Sequence, residues 1–344
     1  MFALLCIGLA GGLLWAWRRA NPARQPRPES AARGAARTNN PHAPTAAPPH
    51  FRTPEAALSA VRPAETVLEA QIALARKGIS PGSIDGVNGS LSRAALIAFQ
   101  QKRGLVASGQ LDDRTKALLL FAPPALTQYT VTSEDLGRLM PVPKTWLGKS
   151  GQTRLDFENI VELLGEKAFS SPQLIRTLNS NLNWSQAASG TQVTVPRVEY
   201  PPIVTKAAFL RISLQECVLE AFDSESNLLA HFPCSIGRLA AQRPAGELHV
   251  TTIVLDPNYT FDPALFPESL EARTLGRKLV LPPGPNNPVG VVWIGLDRPG
   301  YGIHGTPSPE RVGRAESHGC FRLANWNASY LSKLVWVGMT VIVK

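Results

Sequence analysis

The pattern of apolar and polar residues divides the 344-residue chain into an apolar leader, a polar segment and three regions with the periodicity of folded structure. Residues 2–17 are uninterrupted apolar or glycine residues, and Arg18 and Arg19 follow them. This run is longer than most signal-peptide cores and slightly short for a membrane-spanning helix, so residues 1–19 are predicted to be a signal or anchor segment. Residues 20–62 are rich in Pro, Ala and Arg and nearly lack large apolar side chains, which predicts a disordered linker.

Residues 63–122 have the apolar spacing of a small all-α domain. Val67, Ile72 and Leu74 begin an amphipathic helix that ends at Gly78. A second helix carries apolar residues between 91 and 99, and a third is predicted over 113–121. The turn-forming residues 84–89 separate the first two helices, and their Asp and Asn side chains are expected to cap helices.

Residues 128–198 have a mixed pattern that predicts an α+β module. Strands are predicted at 129–132 and 190–196, with helices near 156–169 and 172–178 between them. Residues 136–152, which include two prolines and Trp146, interrupt this order as an insertion.

Residues 206–344 are rich in short β-type runs separated by turns. The strands are predicted at 208–214, 217–222, 228–236, 248–255, 289–296 and 339–343. One helix is predicted over 324–336, with Asn325 as its N-cap. We therefore expect a mainly-β domain, built as a sandwich or a barrel-like sheet and covered by one helix.

The charge and the cysteines narrow the possible classes of protein. The net charge is +9, and residues 18–62 contribute most of it because they hold eight Arg and two acidic residues. A basic tail of this kind is more typical of proximity to a membrane surface or polyanion than of nucleic-acid recognition, and no DNA- or RNA-binding motif occurs.

The four cysteines are too few and too widely spaced to indicate a disulfide framework. Cys217 and Cys234 flank a predicted hairpin turn at 223–227, where a disulfide and two separate buried thiols both remain compatible with the sequence.

The candidate chemistry lies in the stretch 301–323. Its residues that are suited to acyl transfer are His304, Gly305, Thr306, Ser317, His318, Gly319, Cys320 and Arg322. A cysteine thiolate is a nucleophile, and a nearby imidazole can take the thiol proton and later return it to an amine. Gly319 permits a tight turn in which successive N–H groups hold an oxyanion. Arg322 supplies a fixed cation for a substrate carboxylate.

Three other interpretations fit the same stretch. Cys320 can be a buried structural thiol, which is the commonest fate of a lone cysteine. His304, His318 and Cys320 can bind zinc, although no second Cys or carboxylate sits beside them at ligand spacing. The stretch can also be a Gly/Pro-rich loop without chemistry.

The order His-Gly-Thr, a variable loop and Ser-His-Gly-Cys-x-Arg resembles the catalytic motif of the L,D-transpeptidases, the YkuD-type domain of bacterial cell-wall enzymes. The resemblance covers nearly all of residues 206–344 and includes the segments 232–237, 287–290 and 293–296. Arg243 stands where the family usually has Thr in a Thr-Pro-x-Gly turn, so the local turn and rim contacts are expected to differ.

The regions before residue 206 resemble wall-binding modules. Residues 63–122 resemble the peptidoglycan-binding type 1 domain, whose DGxxGxxT…A…FQ signature appears here with Ser92 in the Thr position. Residues 128–198 resemble a LysM-like glycan-binding module that ends in Gly-Thr-x-Val-x-Val-Pro, and the insertion at 136–152 departs from that pattern. A spacer domain that packs on the catalytic domain is the alternative for this second module.

The resemblance to the L,D-transpeptidases implies a mechanism and partners. Cys320 would attack the third residue of a peptidoglycan stem tetrapeptide and expel the terminal D-amino acid. The acyl group would then pass to an amine of another stem in a 3→3 cross-link, to a Lys of an anchored lipoprotein, or to water. His304 is expected to be the general base and acid, and neither a metal nor an organic cofactor is expected. Backbone groups of His318 and Gly319 would serve the oxyanion, and the His318 side chain is the alternative base. The residues expected to bind substrate or brace the loop are Gly305, Thr306, Ser317 and Arg322.

Two alternative functions and a question of location accompany this prediction. The same nucleophile serves an L,D-carboxypeptidase or another hydrolase, and a non-catalytic wall-binding scaffold would use the first two modules alone.

Wall chemistry implies an exported or membrane-anchored protein in the periplasm or elsewhere outside the cytoplasm. Because Arg18 and Arg19 follow the apolar run, the positive-inside rule would hold the rest of the chain in the cytoplasm. We therefore expect a basic segment to precede Met1 in the complete protein.

Overall fold

The computed structural model describes residues 61–239, 243–266, 269–317 and 319–344, with 315–317 described as backbone. The predicted leader at 1–19, including Cys6, and the predicted linker up to residue 60 lie outside these ranges. Within the ranges, no helix combines the length and the apolar content needed to cross a bilayer.

The first module contains three helices and a small two-stranded sheet. Its elements are β1 (Arg62–Pro63), α1 (Val67–Ala75), α2 (Ser90–Lys102), α3 (Asp113–Leu118) and β2 (Leu120–Phe121). The all-α prediction is corrected here, because α3 ends at Leu118 and the chain continues into β2, which pairs antiparallel with β1. Burial explains the change: Phe121 is 1% exposed, and the guanidinium of Arg76 lies 5.1 Å from its ring centroid. The module thus begins at Arg62, the last residue of the predicted linker.

A buried glutamine holds the turn between α1 and α2. Gln71 accepts hydrogen bonds from the backbone N–H groups of Asp85 and Gly86 and donates one to the Asp85 carboxylate at 2.8 Å. Asp85 also accepts from the Val87 N–H. The N-cap of α2 is Gly89, which has no side chain to donate or accept. The expectation that Asp and Asn of this turn cap helices is therefore wrong, because the Asp85 carboxylate serves the turn itself.

The second module places four helices between the strands of one antiparallel pair. Its elements are β3 (Leu126–Thr130), α4 (Ser133–Gly137), α5 (Trp146–Ser150), α6 (Ile160–Lys167), α7 (Pro172–Leu178) and β4 (Gln192–Pro196). Leu163, Ile175 and Val193 are fully buried where α6 and α7 pack on the strands. The strand–helix–helix–strand order is as predicted from sequence. The short helices α4 and α5, which begin at capping residues Thr132 and Thr145, add to it.

The third module is built on a mixed eight-stranded sheet. Its strands are β5 (Phe209–Ser213), β6 (Val218–Phe222), β7 (Leu228–Pro233), β8 (Ile236–Gly237), β9 (Gly246–Leu255), β10 (Tyr259–Phe261), β11 (Leu279–Leu281), β12 (Val292–Leu296), β13 (Gly302–His304), β14 (Ala315–Ser317), β15 (Phe321–Arg322) and β16 (Thr340–Val343). The sheet has the order β15-β13-β12-β9-β16-β5-β6-β7. Separate two-stranded pairs are formed by β10 with β11 and by β8 with β14.

Two helices complete the third module, α8 (Leu270–Leu275) and α9 (Asn325–Leu334). One face of the sheet and α9 share the largest hydrophobic core, in which Ile212, Ile294 and Leu331 are fully buried. Alternate residues of each strand enter this core, as expected for a sheet that is covered on one face. The mainly-β domain with a covering helix is therefore found, although six strands were predicted and several shorter ones were missed.

The two cysteines beside the 223–227 turn are free thiols. The turn forms as predicted, since the Asp223 N–H donates to the Asn227 carbonyl. The Cys234 N–H donates to the Cys217 carbonyl at 2.7 Å, which makes the two residues neighbours just beyond the paired ends of β6 and β7. Cys234 is completely buried and Cys217 half-buried, so burial raises the pKa of both thiols.

The first module covers the edge of the large sheet at β7. Ile79 forms a parallel bridge with His231, and the Lys102 ammonium donates to the Leu228 carbonyl at 2.7 Å. The Ser80 N–H also donates to the His231 carbonyl. Because an open edge strand invites pairing with other chains, this contact closes a surface that otherwise favours aggregation.

Candidate active site

The predicted base lies at the end of β13, and the predicted nucleophile immediately precedes the neighbouring strand β15 at the edge of the large sheet. β13 and β15 run parallel, with Ile303 opposite Phe321 and His304 opposite Arg322. Ile303 and Phe321 are fully buried in the core. Because side chains alternate between the two faces of a sheet, His304 and Arg322 point away from that core, and Cys320, immediately before β15, is in phase with them. The pairing therefore brings the three residues to the same face.

The hydrogen bond made by His304 defines its tautomer. Its Nδ1 lies 2.6 Å from the carbonyl oxygen of Gly305, and a carbonyl can only accept, so Nδ1 carries the proton. The lone pair is then on Nε2, where it can accept a proton. Burial lowers the pKa of His304 to about 4, the hydrogen bond to Gly305 opposes this, and the Arg322 charge lowers it further. The imidazole is therefore neutral at pH 7, the state that a general base requires.

The Trp293 indole fixes the plane of this imidazole. The two rings are stacked with centroids 5.6 Å apart and planes 21° apart. Trp293 lies opposite His304 on β12, and a Cβ on Gly302 would collide with its ring.

The Cys320 thiol is half-buried and hydrogen-bonded. Its Sγ lies 3.4 Å from the Gly300 carbonyl. Burial raises the pKa of the thiol, while a hydrogen bond from the Gly302 backbone and the charge of Arg322 both act to lower it. The thiol is therefore protonated at neutral pH and needs a base to become a nucleophile. Gly319 has φ +143°, a backbone conformation that other residues rarely adopt.

A cleft of about 230 Å³ is lined in part by Arg322, the residue opposite His304. Its lining residues are Trp146, Lys149, Ser235, Pro288, Thr306, Pro307, Ser308, Arg311, Val312 and Arg322. Two of the predicted substrate-binding residues, Thr306 and Arg322, are thus in the wall. Thr306 is buried, and its hydroxyl accepts a hydrogen bond from the Ser308 N–H.

The other predicted site residues have different surroundings. Gly305 packs against Asn325, whose Oδ1 would overlap a Cβ at that position, so close packing already explains a glycine there. The backbone of Ser317 is opposite Gly237 in the β14–β8 pair, and Ser317 does not appear among the described residues that line the cleft. His318 lies outside the described residues.

Asn325 is not the N-cap of the covering helix. Ala324 occupies that position, and Asn325 is the first residue of α9. Its buried amide accepts from the Val291 N–H at 3.3 Å and donates to the Pro285 carbonyl at 3.2 Å. An N-cap side chain would turn towards its own helix, whereas this one ties the helix to the loop before β12 and supports Gly305.

We expect Asn325→Ala to lower the free energy of unfolding by about 2–3 kcal/mol, because the change leaves a buried N–H and a buried carbonyl without partners. Urea unfolding followed by fluorescence measures the loss. Lys333→Ala, an exposed change in the same helix, is the matched control. Equal stability of the two variants would contradict the anchoring role of Asn325.

Three residues near the site were not predicted from the sequence. Tyr259 of β10 lies close enough to Cys320 and Arg322 for their charges to act on its pKa, which burial raises. Trp146 and Lys149 come from α5 of the second module and line the cleft. The sequence signal for this contact was Trp146, a tryptophan inside an insertion that contains two prolines.

Comparison with known proteins identifies two of the modules. The family model described as "L,D-transpeptidase catalytic domain" (YkuD) matches residues 207–343, and the one described as "Putative peptidoglycan binding domain" matches residues 63–119. Both matches coincide with the modules in the structure.

Curated relatives have the same activity in their names. The "Putative L,D-transpeptidase YkuD" of Bacillus licheniformis is 25% identical over 49% of this chain and 84% of its own length. The "Probable L,D-transpeptidase ErfK/SrfK" of Escherichia coli K12 is 32% identical over 44% of this chain and 49% of its length. The "Putative L,D-transpeptidase YqjB" of Bacillus subtilis is 31% identical over 33% of this chain and 57% of its length. The chain thus spans about half the length of the last two relatives. Residues 207–343 are accordingly an L,D-transpeptidase catalytic domain of the YkuD family, preceded in the same chain by a peptidoglycan-binding domain.

Proposed function

We propose that the chain is a peptidoglycan L,D-transpeptidase that uses Cys320 as its nucleophile and His304 as its general base and acid. The observation that supports this most directly is the hydrogen bond from His304 Nδ1 to the Gly305 carbonyl, since it leaves Nε2 unprotonated on the face that carries Cys320. A neutral imidazole beside a protonated thiol is the resting state of a base-assisted cysteine nucleophile.

The first half-reaction forms a thioester. His304 Nε2 takes the proton of the Cys320 thiol as sulfur attacks the carbonyl carbon of the third stem residue. The carbonyl oxygen becomes an oxyanion, which the N–H groups of Gly319 and Cys320, with the backbone of His318, would stabilise. When this intermediate collapses, the bond to the terminal D-amino acid breaks, and the imidazolium returns the proton to the leaving amine.

The second half-reaction consumes the thioester. An acceptor amine attacks the acyl carbon, His304 takes the amine proton, and the Cys320 thiolate leaves and is reprotonated. An amine of a second stem would give a 3→3 cross-link, a Lys of a wall-anchored lipoprotein would give an anchored protein, and water would give hydrolysis. Arg322 and Thr306 of the cleft wall, with Ser317 and Gly305 beside it, would position the donor.

The remaining modules fit work at the wall. The peptidoglycan-binding domain would hold the substrate polymer near the catalytic domain, which implies a location in the cell envelope. We propose that residues 1–19 export or anchor the chain, and that residues 128–198 act as a LysM-like glycan-binding module or as a spacer. Their contribution to the cleft through α5 favours a role in supporting the catalytic domain.

Product analysis tests the proposed function. Purified protein is incubated with a disaccharide tetrapeptide, and the products are identified by mass spectrometry. Release of the terminal D-amino acid together with cross-linked dimers is the expected result. Release without dimers would identify a hydrolase instead, and absence of release would leave a wall-binding scaffold.

A further inference from the structure

The wall of the cleft crosses a module boundary. Eight of the described lining residues belong to the catalytic domain, whereas Trp146 and Lys149 belong to α5 of the second module. We propose that Lys149 binds a carboxylate of the donor stem peptide, so that the second module completes the substrate site of the catalytic domain. This inference rests on the proposed function.

Hydrogen bonds hold α5 in place against the catalytic domain. The Glu271 carboxylate accepts from the backbone N–H groups of Trp146 and Leu147, both at 2.9 Å. The Leu155 N–H donates to the Pro283 carbonyl at 2.9 Å. Gly284 has φ +140°, and a Cβ there would overlap the Leu155 backbone, which only a glycine permits. The catalytic domain therefore holds both the first residues of α5 and the chain that follows the helix.

An aromatic cluster beneath α5 fixes its orientation. The Trp146 indole stacks on Phe261 with ring centroids 4.2 Å apart and planes 14° apart. Tyr259 and Phe266 lie 6.3 and 5.7 Å from the same indole. Phe261 and Leu155 are almost completely buried in this cluster. Tyr259 is also close enough to Cys320 for the charge of the thiolate to raise its pKa, so the cluster extends from α5 towards the candidate nucleophile.

The charge of the cleft suits an anion. Lys149, Arg311 and Arg322 line it, and none of the described lining residues is acidic. Lys149 is half-buried, and burial lowers its pKa while the charge of Glu271 raises it. Its ammonium lies 5.7 Å from the Trp146 ring and has no hydrogen bond or salt bridge to any residue in the described part of the chain. A partly desolvated cation gains most when an anion enters the cleft, and a stem peptide carries carboxylates at its terminal D-residue and side chains.

Steady-state kinetics with matched variants tests the role of Lys149. We expect Lys149→Met in the full chain to raise KM for the stem tetrapeptide about 10-fold with little change in kcat, and Lys149→Arg to restore most of the affinity. Lys144→Met, an exposed lysine just before α5 that does not line the cleft, is the control and should behave as wild type. Unchanged KM in Lys149→Met would overturn the proposal. An equal loss in Met and Arg variants, with a lower Tm, would also overturn it, since the side chain would then only support the fold.

A binding experiment separates this inference from the proposed function. Calorimetry measures the affinity of the stem tetrapeptide, and of its analogue with amidated carboxylates, for Cys320→Ala with and without Lys149→Met. The expected result is that amidation weakens binding to the single variant Cys320→Ala more than to the double variant Cys320→Ala/Lys149→Met, in which Arg322 alone still meets a carboxylate. Equal sensitivity to amidation in both proteins would refute a carboxylate site at Lys149. Because this readout does not depend on turnover, failure of D-amino acid release would reject the proposed function alone.

Discussion

Cys320→Ala is expected to reduce release of the terminal D-amino acid by at least about 10⁴-fold, because the thioester pathway proceeds through this sulfur. The wild-type protein should gain the mass of the acyl group when it is incubated with the donor, and the variant should not. Its fold should persist, since the half-buried thiol is smaller than the core side chains around it and its hydrogen bond to the Gly300 carbonyl is weak.

The matched control is Cys217→Ala. Cys217 is another half-buried thiol, immediately precedes β6, and plays no part in the proposed reaction. It should keep wild-type activity, and both variants should unfold with a Tm near that of the wild type. D-amino acid release by Cys320→Ala at the wild-type rate would reject the cysteine mechanism and restore the interpretation of Cys320 as a structural thiol.

The residues of the candidate site could be proposed from the sequence because they lie together in one stretch. A Gly-flanked His at a strand end and a Cys after Gly suit nucleophilic catalysis, and the parallel pairing of β13 with β15 places His304 opposite Arg322. The longer strands were also predictable, since alternation over five or more residues gives a clear period of two, as in β5 and β9.

What could not be predicted depends on long-range packing. β10 and β15 contain three and two residues, too few for a period to be seen, and their pairing partners alone define them. Asn325 fits an N-cap by residue type, but its neighbours Val291 and Pro285 draw its amide away from the helix. Lys149 and Arg322 line the same cleft although they are more than 170 residues apart in the sequence. A pattern read over a short window cannot predict that they are close in space.

His304→Gln is expected to lower kcat/KM by about 10²–10⁴-fold, the usual contribution of a positioned general base. The amide can still donate to the Gly305 carbonyl but cannot accept the thiol proton at neutral pH. His231→Gln is the matched control, since His231 is equally buried in the same domain but pairs with Glu220 on β6. Wild-type kcat/KM in His304→Gln would exclude the imidazole as the base.

The pH dependence distinguishes this histidine from an ordinary one. The reactive form holds a neutral imidazole and a thiol, so the wild-type kcat/KM should rise through a pKa of about 4 and then stay level until the raised pKa of Cys320 is reached. An exposed histidine would instead lose its activity below about pH 6.5.

The free energy of unfolding should also fall at acid pH. The pKa of His304 in the folded state is below its unfolded value, so the unfolded chain binds the proton first. Stability is therefore lost as the pH falls from about 6.5 to 4. The loss attributable to His304 should approach about 3 kcal/mol and be absent from His304→Gln, when urea unfolding of the two proteins is compared at pH 7 and pH 4. An acid limb near pH 6.5 in kcat/KM, or identical pH dependence of the two unfolding energies, would show that the imidazole is not buried in its neutral form.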